Sequence, residues 1–116
     1  MITAADLLQK KGRHLETGLD AAAIKEYLGA VDNWALESDK IVRTFAFKNY
    51  YETLAFVNAI AWVIHANDHH PELVVTYNRC VVKFNTHSVN GGQGGISEND
   101  FICAAKIDAI FQQGMH

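Results

Sequence analysis

The sequence has few of the residues that interrupt or cross-link a chain, because its 116 residues include one proline and two cysteines. Two cysteines cannot form the multi-disulfide framework of a small secreted domain. Cys80 and Cys103 each lie in an apolar pattern, which predicts reduced core thiols in a cytoplasmic protein. The chain also lacks a long apolar run, and residues 9–13 are polar. We therefore expect neither a signal peptide nor a membrane span.

A basic excess is missing as well. The formal net charge is −3, whereas binding to nucleic acid or to an anionic membrane requires a positively charged face, so we expect neither partner. The chain does have enough apolar material for one core, with 49% hydrophobic and 10% aromatic residues. No repeat, low-complexity tract or linker divides it. The length predicts one domain, over residues 19–116, preceded by an extension over residues 1–18.

The extension over residues 1–18 is expected to form at most a short helix, with Thr3 as its cap. Leu7 and Leu8 are its only strong apolar contacts, so we expect it to pack weakly against the domain. His14 in this extension and His116 at the other end belong to no motif, and we expect both to be solvated.

Three further helices are predicted from caps and from apolar residues three and four positions apart. Asp20, Asn49 and Ser97 precede the periodic segments and can accept hydrogen bonds from first-turn N–H groups. Asp100, at the third position of the last helix, completes a capping box with Ser97. The central helix runs to about residue 67, before Pro71 prevents its continuation. Its buried stripe is predicted to contain Leu54, Val57, Ile60, Ala61 and Ile64, and Phe56 and Val63 broaden it.

Four strands are predicted in two hairpins, with a turn at residues 37–40 in the first and at residues 78–79 in the second. Paired hairpins favour an α+β fold, a four-stranded antiparallel sheet with helices on one face, in α-β-β-α-β-β-α order. On the fourth strand, alternation places His87 on the polar side, where it is free to face a cleft. Arg43 is expected to snorkel at a strand edge.

Three histidines cluster where the central helix ends, at His65, His69 and His70. Imidazole has a pKa of about 6.5, so it both donates and accepts protons near neutrality. A histidine pair alone is as typical of a surface corner with no catalytic role as it is of a catalytic site. His65 and His69 lie one helical turn apart, as two histidine ligands of a metal can. A zinc site needs three or four ligands, so we predict no metal. The glycines of residues 91–95 lack the lysine of a phosphate-binding loop and predict a flexible rim or lid.

The spacing of these residues is similar to that of the pterin-4a-carbinolamine dehydratase family. The matching positions are His65, His69, His70, Pro71, Tyr77, His87 and Asp100. Trp34, residues 43–48 and residues 55–56 also agree, and the resemblance covers roughly residues 19–111. Two departures stand out, because His65 replaces the glutamate of many relatives and the loop over residues 89–95 is longer than usual.

The resemblance implies a dehydratase that removes water from a 4a-hydroxytetrahydropterin and gives the quinonoid dihydropterin, as in tetrahydrobiopterin recycling. No cofactor is required, because one acid and one base accomplish the reaction. Our hypothesis assigns these two roles to His69 and His87. His70 would orient the ring or its partner histidine, and Asp100 would fix a histidine tautomer. Binding of the pterin is assigned to His65 and to main-chain groups near Asn85 and Thr86.

Some members of this family act as dimerisation partners of transcription factors. A non-enzymatic, coactivator-type protein-binding module is therefore the alternative, and a pterin-handling role linked to molybdopterin is a third. The histidines favour catalysis, because a scaffold has no need of them. Exposed edges of a small sheet predict a homodimer or homotetramer. The implied pathway partner is an aromatic amino acid hydroxylase.

Overall fold

In the computed structural model, which describes residues 1–114, helices and strands follow one another in the predicted order. His116, expected to be solvated, and the end of the predicted domain lie outside the described residues. The helices are α1 (Ala4–Leu8), α2 (Ala21–Leu28), α3 (Tyr50–Asn67) and α4 (Glu98–Gln112). The strands are β1 (Ala35–Glu37), β2 (Lys40–Ala46), β3 (Glu72–Val75) and β4 (Arg79–Phe84). They form one four-stranded antiparallel sheet, as predicted, and its strands lie in the order β1-β2-β4-β3.

The predicted helix caps are present. Asp20 Oδ1 accepts a hydrogen bond from Ala23 N–H at 2.8 Å, and Asn49 Oδ1 accepts one from Glu52 N–H at 2.9 Å. The central helix α3 ends where Asp68 adopts a left-handed conformation (φ 48°, ψ 46°). This reversal turns the chain out of the helix axis before β3 begins, and it fixes where the following histidines lie.

The buried face of α3 agrees with only part of the predicted stripe. The residues that face the core are Thr53, Phe56, Ile60, Val63 and Asn67. Leu54 is 37% exposed and Ala61 is also exposed, whereas Ile60 of the stripe is buried, as are Phe56 and Val63, which broaden it. The helix is apolar around most of its girth, and such a composition does not determine its rotation about its axis.

The inner face of the sheet carries the core. Cys80, Val82 and Phe84 of β4 are fully buried there, as their alternation predicts. Both cysteines are free, and burial raises the pKa of the Cys103 thiol to about 12. Arg43 does not snorkel at an edge, because β2 is a central strand. Its guanidinium lies 2.6 Å from Asp108 Oδ1 in a largely buried ion pair.

The N-terminal segment packs more tightly than expected. Leu7 is fully buried and belongs to the core, and α1 packs against α4, whereas Leu8 is 40% exposed. The expectation of a weakly packed extension is therefore wrong for α1. Within the described residues, no helix is both long and apolar enough to cross a membrane.

The glycine-rich loop is tied to the N-terminal segment. It contains a single 3₁₀ turn over Asn90–Gly92. Asn90 N–H donates to the Glu16 carbonyl at 2.8 Å, and Gly18 N–H donates to Asn90 Oδ1 at 3.1 Å. The loop then rejoins the sheet, because Thr86 and Gly95 exchange two main-chain hydrogen bonds.

Candidate active site

Asp100 is fully buried at the start of α4. One carboxylate oxygen, Oδ2, accepts hydrogen bonds from Ser97 N–H at 2.9 Å and from the Thr86 hydroxyl at 3.0 Å. The other, Oδ1, lies 2.5 Å from Nε2 of His69. The fold therefore holds one oxygen rigidly and presents the other to the imidazole. The predicted capping role of Asp100 and its contact with a histidine occur together.

His69 follows directly after the left-handed Asp68. Its ring stacks on Phe84 with 5.6 Å between centroids and 9° between planes, and its side chain is 11% exposed. A carboxylate accepts hydrogen bonds, so the bond to Asp100 places a proton on Nε2 of His69. In the neutral ring the lone pair then lies on Nδ1. His69 is thereby prepared to accept a proton at Nδ1.

His70 and His87 form a second pair. Their ring centroids are 6.2 Å apart, and both residues are exposed. They line a cleft of about 260 Å³ together with Asn85, Lys40 and Lys83. His69 instead lines a neighbouring cleft of about 310 Å³. The structure thus joins His87 with His70 and joins His69 with Asp100.

Charge in the His70–His87 cleft is mixed. Lys40 lies 3.1 Å from Glu72, and this hydrogen bond and the lysine charge, with Lys83 nearby, hold the pKa of Glu72 below its ordinary value. Glu72 therefore remains an anion beside two cations near neutral pH.

Two predicted binding residues have other partners in the fold. Thr86 uses its main chain to bond Gly95, and its hydroxyl lies within hydrogen-bond distance of Asp100 and of Ser97 Oγ, at 2.6 Å from the latter. Thr86 therefore supports Asp100, and its N–H is already engaged. His65 is exposed on α3 with its ring 5.8 Å from that of Trp62, and it lines neither of the two clefts.

Tyr77, which matches the family spacing, is 64% exposed in the turn that follows β3. That turn runs over residues 76–79, with Thr76 N–H donating to the Arg79 carbonyl at 2.9 Å. The third and fourth strands, expected over residues 73–77 and 80–87, therefore both end earlier, at Val75 and Phe84. Among residues 1–114, no three histidine, cysteine or acidic side chains are grouped so as to hold a metal.

Sequence reasoning missed one wall of the His69 cleft. Arg13 and His14 line it, although His14 was expected only to be solvated. Two buried amides, Asn67 and Asn99, line it as well. The one available signal was Asn67, a polar residue four positions after Val63 on an apolar helix, which is unusual unless its amide has a partner.

Comparison with known proteins identifies the family. The family model described as pterin 4 alpha carbinolamine dehydratase matches residues 17–110. A protein of Bdellovibrio bacteriovorus, provisionally named a pterin-4-alpha-carbinolamine dehydratase, is 59% identical over 110 residues, which are 95% of this chain and 92% of that protein. A protein of Nitrosomonas europaea with the same provisional name is 47% identical and covers 97% of this chain and 99% of its own.

A solved structure agrees with these relatives. The crystal structure of a transcriptional coactivator/pterin dehydratase from Brucella melitensis superposes with a TM-score of 0.74 at 33% identity. The match covers 81% of this chain and 98% of that chain. With the family model matching most of its length, this chain belongs to the pterin-4a-carbinolamine dehydratase family of hydro-lyases.

Proposed function

We propose that this protein dehydrates 4a-hydroxytetrahydropterins to quinonoid dihydropterins by histidine acid–base catalysis. The observation that carries the proposal is the His69–Asp100 pair, a buried carboxylate 2.5 Å from an imidazole that opens into a cleft. His70 and His87 supply two further imidazoles in the other cleft. A proton must be removed and another delivered in this reaction, and imidazoles do both near neutral pH.

The dehydration needs one base and one acid. The base removes the proton from N5 of the carbinolamine, and the N5 electron pair forms the C4a=N5 bond. The C4a–O bond breaks as the acid protonates the hydroxyl, which leaves as water. No oxidant or reductant is consumed. We assign the base to Nδ1 of His69, because Asp100 fixes the proton on Nε2, and the acid to His87, with His70 as its positioning neighbour.

This assignment requires the pterin to lie across residues 69–70, with N5 toward His69 and the C4a hydroxyl toward His87. Asn85, which lines the His70–His87 cleft, is then the remaining predicted binding residue at the ring edge. The substrate would come from an aromatic amino acid hydroxylase, and we propose that the protein acts in the cytoplasm beside such an enzyme.

The test is a dehydration assay with carbinolamine generated freshly in situ and corrected for spontaneous dehydration. We expect His69→Ala and His87→Ala each to lower kcat about 10²–10⁴-fold, the range of positioned acids and bases. The double variant should lose less than the product of the two losses, because acid and base act as a unit. His65→Ala, one turn earlier on α3, is the matched comparison, and its kinetics should stay within about twofold of wild type.

Retention of wild-type turnover by both single variants would refute the assigned pair. A coactivator-type module is the alternative, and the Brucella melitensis protein is named for both roles, transcriptional coactivator and pterin dehydratase. A protein-binding module does not require a carboxylate–imidazole pair at a cleft. We therefore favour the dehydratase, and absence of turnover above background in the wild-type protein would favour the module.

A further inference from the structure

The N-terminal segment over residues 10–14, here called the strap, crosses the site beside His69. It lies before residues 17–110, which the family model matches. Gly12, Arg13 and His14 of the strap line the same cleft as His69. The cleft is therefore built from two parts, the family core on one side and this preceding segment on the other.

Two buried asparagines hold the strap by its main chain. Asn67, 5% exposed, accepts a hydrogen bond from Gly12 N–H through Oδ1 at 2.8 Å. Asn99, 6% exposed, accepts from Arg13 N–H at 3.1 Å and donates to the Arg13 carbonyl at 2.5 Å. These bonds fix the strap backbone and do not depend on which side chains it carries.

A close main-chain contact and two ion pairs also hold the strap in place. A Cβ on Gly12 would lie 2.6 Å from the main-chain oxygen of Asn67, so only glycine allows this contact. Arg13 Nη1 lies 2.8 Å from Glu98 Oε1, and Lys10 Nζ lies 3.6 Å from Glu98 Oε2. Arg13 and Lys10 thus both pair with the carboxylate of Glu98 on α4. His14, which follows Arg13, has no such anchor among these bonds and lines the cleft.

The chemistry of the substrate indicates what such a wall would contact. In a pterin, N5 is bonded to C4a on one side and to C6 on the other, and C6 carries the variable side chain. If His69 acts at N5, the C6 side chain extends into the cleft that His69 shares with the strap. We propose that the strap selects the pterin by its C6 side chain, with His14 hydrogen-bonding a hydroxylated one. This inference rests on the proposed function for the orientation of the ring.

The test compares two substrates, the carbinolamine with a dihydroxypropyl side chain at C6 and its 6-methyl analogue. Wild-type protein should have the lower KM for the dihydroxypropyl substrate. His14→Ala should reduce that preference, the ratio of the two KM values, by about tenfold, as expected when one hydrogen bond is lost. Lys11→Ala is the matched control, because Lys11 is exposed on the same strap and does not line the cleft. It should keep the wild-type ratio.

Gly12→Ala provides a second variant in which every strap side chain except its own is intact. The added Cβ displaces the strap from Asn67, so the preference should fall again while turnover of the 6-methyl substrate continues. Equal changes of KM for both substrates, or an unchanged ratio in both variants, would overturn the proposal.

Calorimetric binding of the stable oxidised forms, biopterin and 6-methylpterin, separates this inference from the proposed function. Tighter binding of biopterin that His14→Ala abolishes, without any turnover by the wild type, would refute the dehydratase and support the strap. Turnover of both carbinolamines with no preference between them would support the dehydratase and refute the role of the strap. If neither pterin binds and neither carbinolamine is turned over, both proposals fail.

Discussion

The two carboxylate oxygens of Asp100 have separate partners. Oδ2 accepts from Ser97 N–H and the Thr86 hydroxyl, and Oδ1 faces Nε2 of His69. A carboxylate requires the proton of neutral His69 on Nε2, whereas an amide NH₂ in the same place requires a lone pair there. Replacing Asp100 by asparagine would thus reverse the tautomer while conserving the shape of the side chain.

We expect Asp100→Asn to fold and to lose turnover by about 10²–10⁴-fold, because its amide oxygen still caps α4 while its NH₂ group faces His69. Asp100→Ala should lose turnover and also about 1 kcal/mol of unfolding free energy, because the cap is removed. Steady-state kinetics and urea unfolding of both variants measure the two effects separately. Wild-type turnover in Asp100→Asn would contradict the tautomer role.

Among the elements, helix starts were predictable from sequence and helix rotation was not. A cap is a local signal, since Asp20 and Asn49 bond N–H groups three residues away. The rotation of α3 depends on which of its several apolar faces meets the sheet, and that is decided by packing over distant segments. Asp100 could be predicted for the same local reason as the caps.

The separation of His69 from His70 and the position of the strap also could not be predicted from local sequence patterns. His69 and His70 are consecutive and both follow the left-handed Asp68 (φ 48°), yet they line two different clefts. Nothing in the sequence marks a left-handed aspartate before a histidine pair. The hydrogen bond from Arg13 N–H to Asn99 spans 86 positions and involves a main-chain group, so no pattern of residue types in the sequence predicts it.

The glycine-rich loop has open space around two of its glycines. Gly91 and Gly92 have positive φ angles of 68° and 87°, and a Cβ added at either would meet no heavy atom within 4 Å, whereas Gly95 bonds Thr86. The loop follows Thr86 and Ser88, which line the His69 cleft, but it supplies no acid or base itself. We therefore expect deletion of Gly91 and Gly92 to raise KM several-fold and to leave kcat within about twofold. A large fall in kcat alone would mean that the loop provides a catalytic group.

Glu98 joins three elements and should make stability depend on pH. Burial alone would raise its pKa, but the Tyr27 hydroxyl at 2.7 Å, together with Arg13 and Lys10, outweighs burial and holds the pKa of Glu98 below its ordinary value. A depressed folded-state pKa stabilises the fold above the unfolded pKa of about 4.3, and this contribution is lost as pH falls through the folded pKa.

We therefore expect Glu98→Gln to lower the urea midpoint at pH 7, by an amount equivalent to about 1–2 kcal/mol for hydrogen bonds to a charged group. The difference from wild type should close as pH falls below about 4. Glu16→Gln, an exposed carboxylate near the strap, is the matched control and should leave the midpoint unchanged. A difference that persists undiminished at acid pH would refute the electrostatic origin.

For the whole molecule, the sheet leaves two edges, β1 and β3, each paired on one side only. β1 is three residues long and exposes one large apolar side chain, Leu36, by 46%, whereas β3 has four residues and exposes two, Val74 by 39% and Val75 by 37%. Exposed apolar edge strands favour pairing with another chain. A two-fold axis at β3 would bring copies of the same residue close together across the interface.

We expect a homodimer, or a tetramer built from dimers, at micromolar concentration by light scattering. Val74→Lys should shift it toward monomer, because a lysine near its own copy across a two-fold axis is repelled. Ala35→Lys on the exposed β1 edge is the matched control and should leave the assembly intact. Dissociation by Ala35→Lys instead would move the interface to β1. A wild-type protein that is only monomeric at this concentration would contradict self-association through either edge.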